Sequence, residues 1–338
     1  MTQPISRHGA GAPRHWPRTA YSPILVATLV WHGVALPGWL LQPSAWLWWL
    51  ASVIVNHVIV VSIGLWPRSS LLGPNWTRLP DTPSNADAVA LTIDDGPDPV
   101  VTPRVLDILD QHHVRATFFC IGRRAAQHPA LMREIVARGH AVENHSHCHV
   151  HTFSVSLPHW IAKDIDDAQQ TLEALTGERP IFFRAPAGLR NLFLEPVLQR
   201  LDLRLAAWTR RGFDTREGDV DRVLERLVNG LAARDILLVH DASAALTSAG
   251  DSVVLTVLPR LIEIVRSSGL RFVTLRDARG EQAPSFSATE RSMRVPRSSD
   301  SSSRDDHRDG RYSPHGERRG SRVPASGAAQ AHKVARPQ

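Results

Sequence analysis

Between Tyr21 and Trp66 the chain carries no Asp, Glu, Lys or Arg, and this uncharged run narrows what its N-terminal part can become. A bilayer core takes about 20 apolar residues per helix, so the run is too long for one span and suits two. Gln42-Pro43-Ser44 supplies a turn near its middle, giving expected helices at about 22–41 and 45–66 within a hairpin at 21–67. Trp31, Trp39, Trp46, Trp48, Trp49 and Trp66 lie in the run, several near the expected helix ends, where indole rings anchor at membrane interfaces. A cleaved signal peptide would be shorter and end in small residues, whereas this run continues into Trp66-Pro67-Arg68. Arg7, Arg14 and Arg18 precede the hairpin, Arg68 and Arg78 follow it, and the connecting loop is neutral. Positive flanks favour the cytoplasm. The expectation is a multi-pass protein of the cell (inner) membrane, attached through the hairpin, with both ends on the cytoplasmic side.

The net charge of +6 resides in the ends: residues 1–20 contribute +3 and residues 281–338 contribute +4, so the middle sums to −1. A nucleic-acid partner would need basic residues gathered on a folded face, and none is expected. Both ends are polar and poor in apolar residues, so 1–20 and 281–338 are expected to be disordered. Cys120 and Cys148 are too few for a disulfide framework and read as free thiols. Nothing in the sequence calls for an obligate protein partner.

After a linker at 68–87, residues 88–280 alternate short apolar runs with longer amphipathic ones. The runs predict strands at Val89–Ile93, Ala116–Ile121, Ala141–Asn144, Ile181–Arg184, Leu205–Trp208, Ile236–His240 and Phe272–Thr274. Helices are expected between them, at about 102–112, 123–138, 158–175, 192–200, 217–230 and 253–267. In the last, Val253, Val257, Leu261 and Val265 recur every four residues beside Val254, Leu258 and Ile262, one wide apolar face at helical period. Strands separated by such helices imply βαβ units, and about seven of them suit a distorted α/β barrel of parallel strands better than an open sheet.

Working residues of a βα barrel sit at the C-terminal ends of its strands, and the polar residues of this chain gather there. Asp94-Asp95-Gly96-Pro97 follows the first strand; alone it is a good turn sequence, but two adjacent carboxylates there can serve two tasks. His140 and then His145-Ser146-His147-Cys148-His149 surround the end of the third strand. Imidazoles and one carboxylate would make a three-ligand set for zinc or a similar divalent ion, with positions left open; Cys148 is a possible softer ligand. Arg184-Ala185-Pro186-Ala187-Gly188 follows the fourth strand, Trp208 and then Asp214 the fifth, and Leu238-Val239-His240 ends the sixth. Arg184 read alone fits a surface pair, and Trp208 read alone fits core packing. Together the set suits metal-assisted hydrolysis.

These residues resemble, in order, the five motif regions of the polysaccharide deacetylases of carbohydrate esterase family 4, the NodB homology domain: Thr92–Pro97, His145–His149, Arg184–Gly188, Trp208 to Asp214, and Leu238–His240. The resemblance implies that Asp95, His145 and His149 bind one divalent metal ion, commonly zinc. It makes Asp94 the general base and His240 the general acid, with Arg184 orienting Asp94 and Asp214 orienting His240. The Ala187 N–H would help hold the oxyanion, and Trp208 and Leu238 would line the pocket for the acetyl methyl. The sequence departs from the family in having Ile93 before the aspartates, Ala187 where an aromatic is frequent, and Arg210-Arg211-Gly212 within the fourth motif. The function so implied is removal of N-acetyl groups from a carbohydrate, an N-acetylhexosamine polysaccharide or oligosaccharide. Alternatives are a deacetylase or deformylase of a lipid-linked sugar at the membrane, and a non-catalytic glycan-binding relative.

Overall fold

The computed structural model describes residues 22–280; the ends expected to be disordered, 1–20 and 281–338, lie outside the described residues. Helix α1 (Pro23–Leu41) and helix α2 (Trp46–Gly64) form an antiparallel hairpin closed by a 3₁₀ turn at Pro43–Ala45. Pro23 occupies the first turn of α1, where a missing N–H costs nothing. Each helix has 19 residues and so spans about 28 Å at 1.5 Å per residue, close to the ~30 Å of a bilayer core. Both are long and apolar enough to cross a membrane. Unlike a soluble helix, each shows apolar side chains around most of its circumference, including exposed Leu29, Trp48 and Val58. Gly38 lets the pair close: a Cβ there would stand 2.4 Å from the Trp49 ring. Thr28 and Asn56 share a hydrogen bond of 3.3 Å between the helices.

The remaining elements follow as β1 (Ala88–Asp94), α3 (Val101–Gln111), β2 (Thr117–Cys120), α4 (Gly122–Gln127), α5 (Pro129–Ala137), β3 (Ala141–Asn144) and α6 (Pro158–Thr176). Then come β4 (Phe182–Phe183), α7 (Leu194–Arg200), β5 (Arg204–Leu205), β6 (Arg210–Arg211), α8 (Val220–Val228), β7 (Ile236–His240), α9 (Val253–Ser267), β8 (Arg271–Val273) and α10 (Leu275–Arg279). All strand pairs are parallel, in the order β5-β4-β3-β2-β1-β7-β6, with β8 also against β1. This is the expected distorted α/β barrel, left open between β5 and β6.

Two expectations need correction. The single helix at 123–138 is two, because Pro129 drives His128 out of helical geometry (φ −129°, ψ 58°). The fifth strand does not run from Leu205 to Trp208. Only Arg204–Leu205 pairs with β4, and a further short strand, β6, forms at Arg210–Arg211. The carbonyls of Ala206 and Ala207 are taken by the Arg184 guanidinium instead of a neighbouring strand.

Strand alternation sorts the interior. Val89, Leu91 and Ile93 of β1, with Leu237 and Val239 of β7, face the helical layer and pack with Leu106, Leu258 and Leu261. Ala88 and Ala90 face the barrel interior with Ile236, Leu238, Phe119 and Trp208. The same alternation puts Thr92, Asp94 and His240 on the inner face. Register then levels the strand ends: Asp94 stands opposite both Phe119 and His240, Cys120 opposite Asn144, and Asn144 opposite Phe183.

Candidate active site

Asp94 closes β1 on the inner face and is 2 % exposed. One of its oxygens accepts a 2.6 Å hydrogen bond from Nη1 of Arg184, the residue after β4. Arg184 is itself 1 % exposed, and every arm of its guanidinium is used. Nη1 also donates to Thr92 Oγ1 at 2.8 Å, Nε to the Ala206 carbonyl and Nη2 to the Ala207 carbonyl, while the plane lies 4.0 Å over the Phe119 ring. A buried arginine held by four hydrogen bonds is rigid, so the carboxylate it holds is fixed as well. The other Asp94 oxygen points across the site, 3.8 Å from Nε2 of His145.

Asp95 takes left-handed backbone (φ 75°), which turns its side chain away from that of Asp94. Its Oδ1 lies 3.2 Å from Nε2 of His145 and 3.3 Å from Nε2 of His149. Burial would raise the Asp95 carboxyl, but the His145 hydrogen bond and the charges of His145, His240 and His149 outweigh it and hold it well below the usual range. The His145 ring is oriented from behind, since its Nδ1–H donates to the Arg184 carbonyl at 2.8 Å. That bond aims Nε2 into the site. Burial, and then His145, lower the His149 imidazole to about 4, so it is neutral at physiological pH.

The loop after β3 is shaped from outside the site. Asn144 Oδ1 accepts from the Ser146 amide, Ser146 Oγ from the His149 amide, and the Asp164 carboxylate of α6 from the amides of His147 and Cys148. Ser146 and His149 adopt positive φ (67° and 51°) to make the turn. Asp95, His145 and His149 thus offer three ligand atoms within 4.8 Å of one another, and His147 and Cys148 do not join them. A tetrahedral ion with bonds of about 2.0–2.1 Å needs ligand atoms about 3.3 Å apart. The 3.2 and 3.3 Å separations fit it, and the three-ligand set leaves room for further ligands.

Across the mouth, His240 ends β7. Both oxygens of Asp214 hold it: Oδ1 lies 2.9 Å from the ring Nδ1, and Oδ2 accepts from the His240 amide at 2.6 Å. Burial would lower this imidazole, but Asp214, with Asp94 and Asp95, raises it above the ordinary histidine value. Asp214 reaches the position because Phe213 turns through left-handed backbone (φ 58°). Ala187 lies exposed in the 3₁₀ turn Pro186–Gly188 with φ 54°; the turn's own hydrogen bonds run from Gly188 and Leu189, to Ala185 and Pro186. Trp208 (7 % exposed) packs against Gly188 and shares an apolar cluster with Leu238.

Several contributors escaped sequence reasoning. Thr92, two residues before Asp94 and so on the same strand face, is the second acceptor of Arg184. Arg124 of α4 donates to the Asp95 carbonyl at 2.9 Å. Asp241 is fully enclosed against Gly96 and accepts from Thr102 Oγ1 and the Ala242 amide; burial raises its carboxyl to about 7. The alternation of β1 could have flagged Thr92, whereas the other two depend on contacts between distant segments.

Comparison with known proteins agrees with this architecture. The polysaccharide deacetylase family pattern matches residues 81–206. A peptidoglycan-N-acetylglucosamine deacetylase of Bacillus cereus is 31 % identical over 199 residues, which cover 58 % of this chain and 90 % of that protein. The chain belongs to the polysaccharide deacetylase family. A chitooligosaccharide deacetylase of Azorhizobium caulinodans is 32 % identical over 158 residues, 46 % of this chain and 75 % of the relative. Among solved structures, the Bc1960 peptidoglycan N-acetylglucosamine deacetylase superposes with a TM-score of 0.53 at 26 % identity, covering 60 % of this chain and 91 % of that one. As a member of this family the protein is a hydrolase of non-peptide carbon–nitrogen bonds.

Proposed function

We propose that this chain removes N-acetyl groups from an N-acetylhexosamine-containing carbohydrate, with a divalent cation, zinc by preference, held by Asp95, His145 and His149. The observation carrying this reading is the convergence of those three ligand atoms beside the second oxygen of Asp94, with the Asp214–His240 pair on the neighbouring strand. A cation held there would supply Lewis acidity, bringing the pKa of a water molecule from 15.7 toward about 7 and polarising an acyl carbonyl.

The protein's own groups do the rest. Asp94, aimed by Arg184, takes the proton from the attacking water. The Ala187 N–H faces the oxygen that gains charge as the carbonyl carbon becomes tetrahedral. His240, protonated and oriented by Asp214, gives its proton to the amine nitrogen as the C–N bond breaks, so acetate and a free amine leave. Trp208 and Leu238 bound the space for the acetyl methyl. The hairpin at 21–67 anchors the enzyme in the cell membrane, 68–87 links it to the catalytic domain at 88–280, and the charge flanks favour a cytoplasmic catalytic domain. The geometry of an acid–base pair favours catalysis over mere glycan binding, which needs neither.

The test is acetate release by the full chain, in detergent and loaded with zinc, from chitooligosaccharides and peptidoglycan fragments, beside Asp94→Asn. Chelator-sensitive release that the variant loses is expected. Release that survives both the chelator and Asp94→Asn would overturn the reading.

A further inference from the structure

Nine large apolar side chains of residues 88–280 stand exposed, and all nine occupy one end of the barrel. Each lies in a connection leaving the C-terminal end of a strand, or in the first turn of the next helix; none lies in a connection returning from helix to strand. Val155 (77 % exposed), Leu157 and Trp160 (60 %) follow β3, Phe193 follows β4, Phe213 follows β6 and Leu246 follows β7. These are the loops that also carry the site. Apolar side chains scattered by chance would fall on both ends, and a set this concentrated marks an interaction surface.

The hairpin joins the barrel at that same end. The Gly64 carbonyl, at the C-terminus of α2, accepts from the Arg190 amide at 3.1 Å, and Arg190 lies in the connection after β4. The buried Arg190 guanidinium donates to the Ser69 carbonyl, and Ser22, just before α1, donates to the Leu71 carbonyl. Pro67 lies against Gly188, where a Cβ would stand 2.7 Å from the proline Cβ. Arg68 reaches the Thr209 carbonyl at 3.1 Å. The α2 foot of the hairpin is therefore fixed to the loops bearing Ala187 and Trp208, and the α1 foot to the linker beside it. From Gly64 to Pro67 the chain can span no more than about 11 Å, so the bilayer boundary at the end of α2 lies close to the mouth.

We infer that the barrel mouth lies on the bilayer surface, with Val155, Leu157, Trp160 and Phe193 seated in the lipid interface, and that the substrate is the N-acylated sugar head of a membrane-anchored lipid. A mouth against the bilayer obstructs a long polymer but meets a headgroup tethered in the same plane, at an effective concentration that free sugar does not reach. The substrate assignment rests on the deacetylase reading above; the docking does not.

The full chain carrying Cys148→Ser and Val155→Cys would be nitroxide-labelled in phosphatidylcholine nanodiscs, beside Ser268→Cys at the opposite end of the barrel. Cys120 is fully buried and stays in place. The label at 155 is expected to collide with oxygen in preference to a water-soluble nickel chelate, and the label at 268 to do the reverse. Equal water exposure at both positions overturns the docking. In the same nanodiscs, kcat/KM for an N-acetylglucosaminyl lipid is expected to exceed that for a soluble chitooligosaccharide about 100-fold. The double variant Val155→Asp, Trp160→Asp should abolish that preference and leave the soluble rate unchanged. Equal rates with a lipid-exposed label would overturn the lipid substrate; no release from either, with that label, would keep the docking and overturn the deacetylase reading.

Discussion

Asp95, His145 and His149 meet through distorted backbone, whereas His240 arrives on a regular strand with both oxygens of one carboxylate behind it. Left-handed geometry at Asp95 and His149 costs about 1 kcal/mol or more at each residue. It brings Asp95 Oδ1 to 3.2 and 3.3 Å from the two imidazole nitrogens, the spacing of ligand atoms around a tetrahedral cation. The Asp214–His240 pair needs no such guest, because donor and acceptor satisfy each other. In the proposed mechanism the first half holds a cation and the second moves a proton. The two should therefore fail differently when damaged.

The largest effect is expected in the first half. His145→Ala or Asp95→Ala should lower both bound zinc, measured by elemental analysis, and acetate release, the latter by at least about 1,000-fold. Full zinc occupancy in either variant would break the division. In the second half, His240→Ala should keep its zinc and lose about 10²–10⁴-fold in kcat.

Asp214→Asn is expected to be milder, about 10-fold near neutral pH, with a signature in the pH profile. In the proposed mechanism His240 acts protonated, and its raised pKa keeps it so until the pH climbs through that value. Without the Asp214 charge the imidazole titrates lower, so the alkaline limb of kcat should move to lower pH. An unmoved limb would mean that Asp214 only supports the fold.

The smallest effect concerns Asp241, adjacent in sequence to His240 but outside the chemistry. Its folded pKa of about 7 stands above the ordinary 3.8, so the fold disfavours the ionised form. The stability cost is absent below about pH 4, grows as pH rises, and is complete above about pH 7. Asp241→Asn should gain on the order of 1 kcal/mol at pH 8 and nothing at pH 4, the lost hydrogen bonds from Thr102 and Ala242 offsetting part of the relief. Thermal melts at the two pH values test this, with kcat at neutral pH unchanged.

Much of this was readable in advance. Strands β3 and β7 and helix α9 have the bounds that the hydrophobic pattern predicts, and β1 extends it by one residue at each end. The fifth strand was not readable, because Arg184 captures the carbonyls of Ala206 and Ala207 from 22 and 23 positions away. The turns of the site escaped for a related reason. Asp95, Ser146, His149, Ala187 and Phe213 all hold positive φ without being glycine. Local preference disfavours that geometry in each case, and bonds from neighbours such as Asn144 help to impose it on the β3 loop.

The amino-acid sequence by itself determined the uncharged hairpin, the order of strands and helices, the inward position of Asp94 and His240, and the chemical types at the strand ends. Each follows from periodicity or composition within a few residues of chain. The resemblance had paired Asp94 with Arg184, Asp95 with the histidines and Asp214 with His240, but only the tertiary structure supplies the contacts that make those pairs and fastens the hairpin to the mouth. Those pairings join residues far apart in the chain, and their energy exists only once parallel register has brought the strand ends to one level.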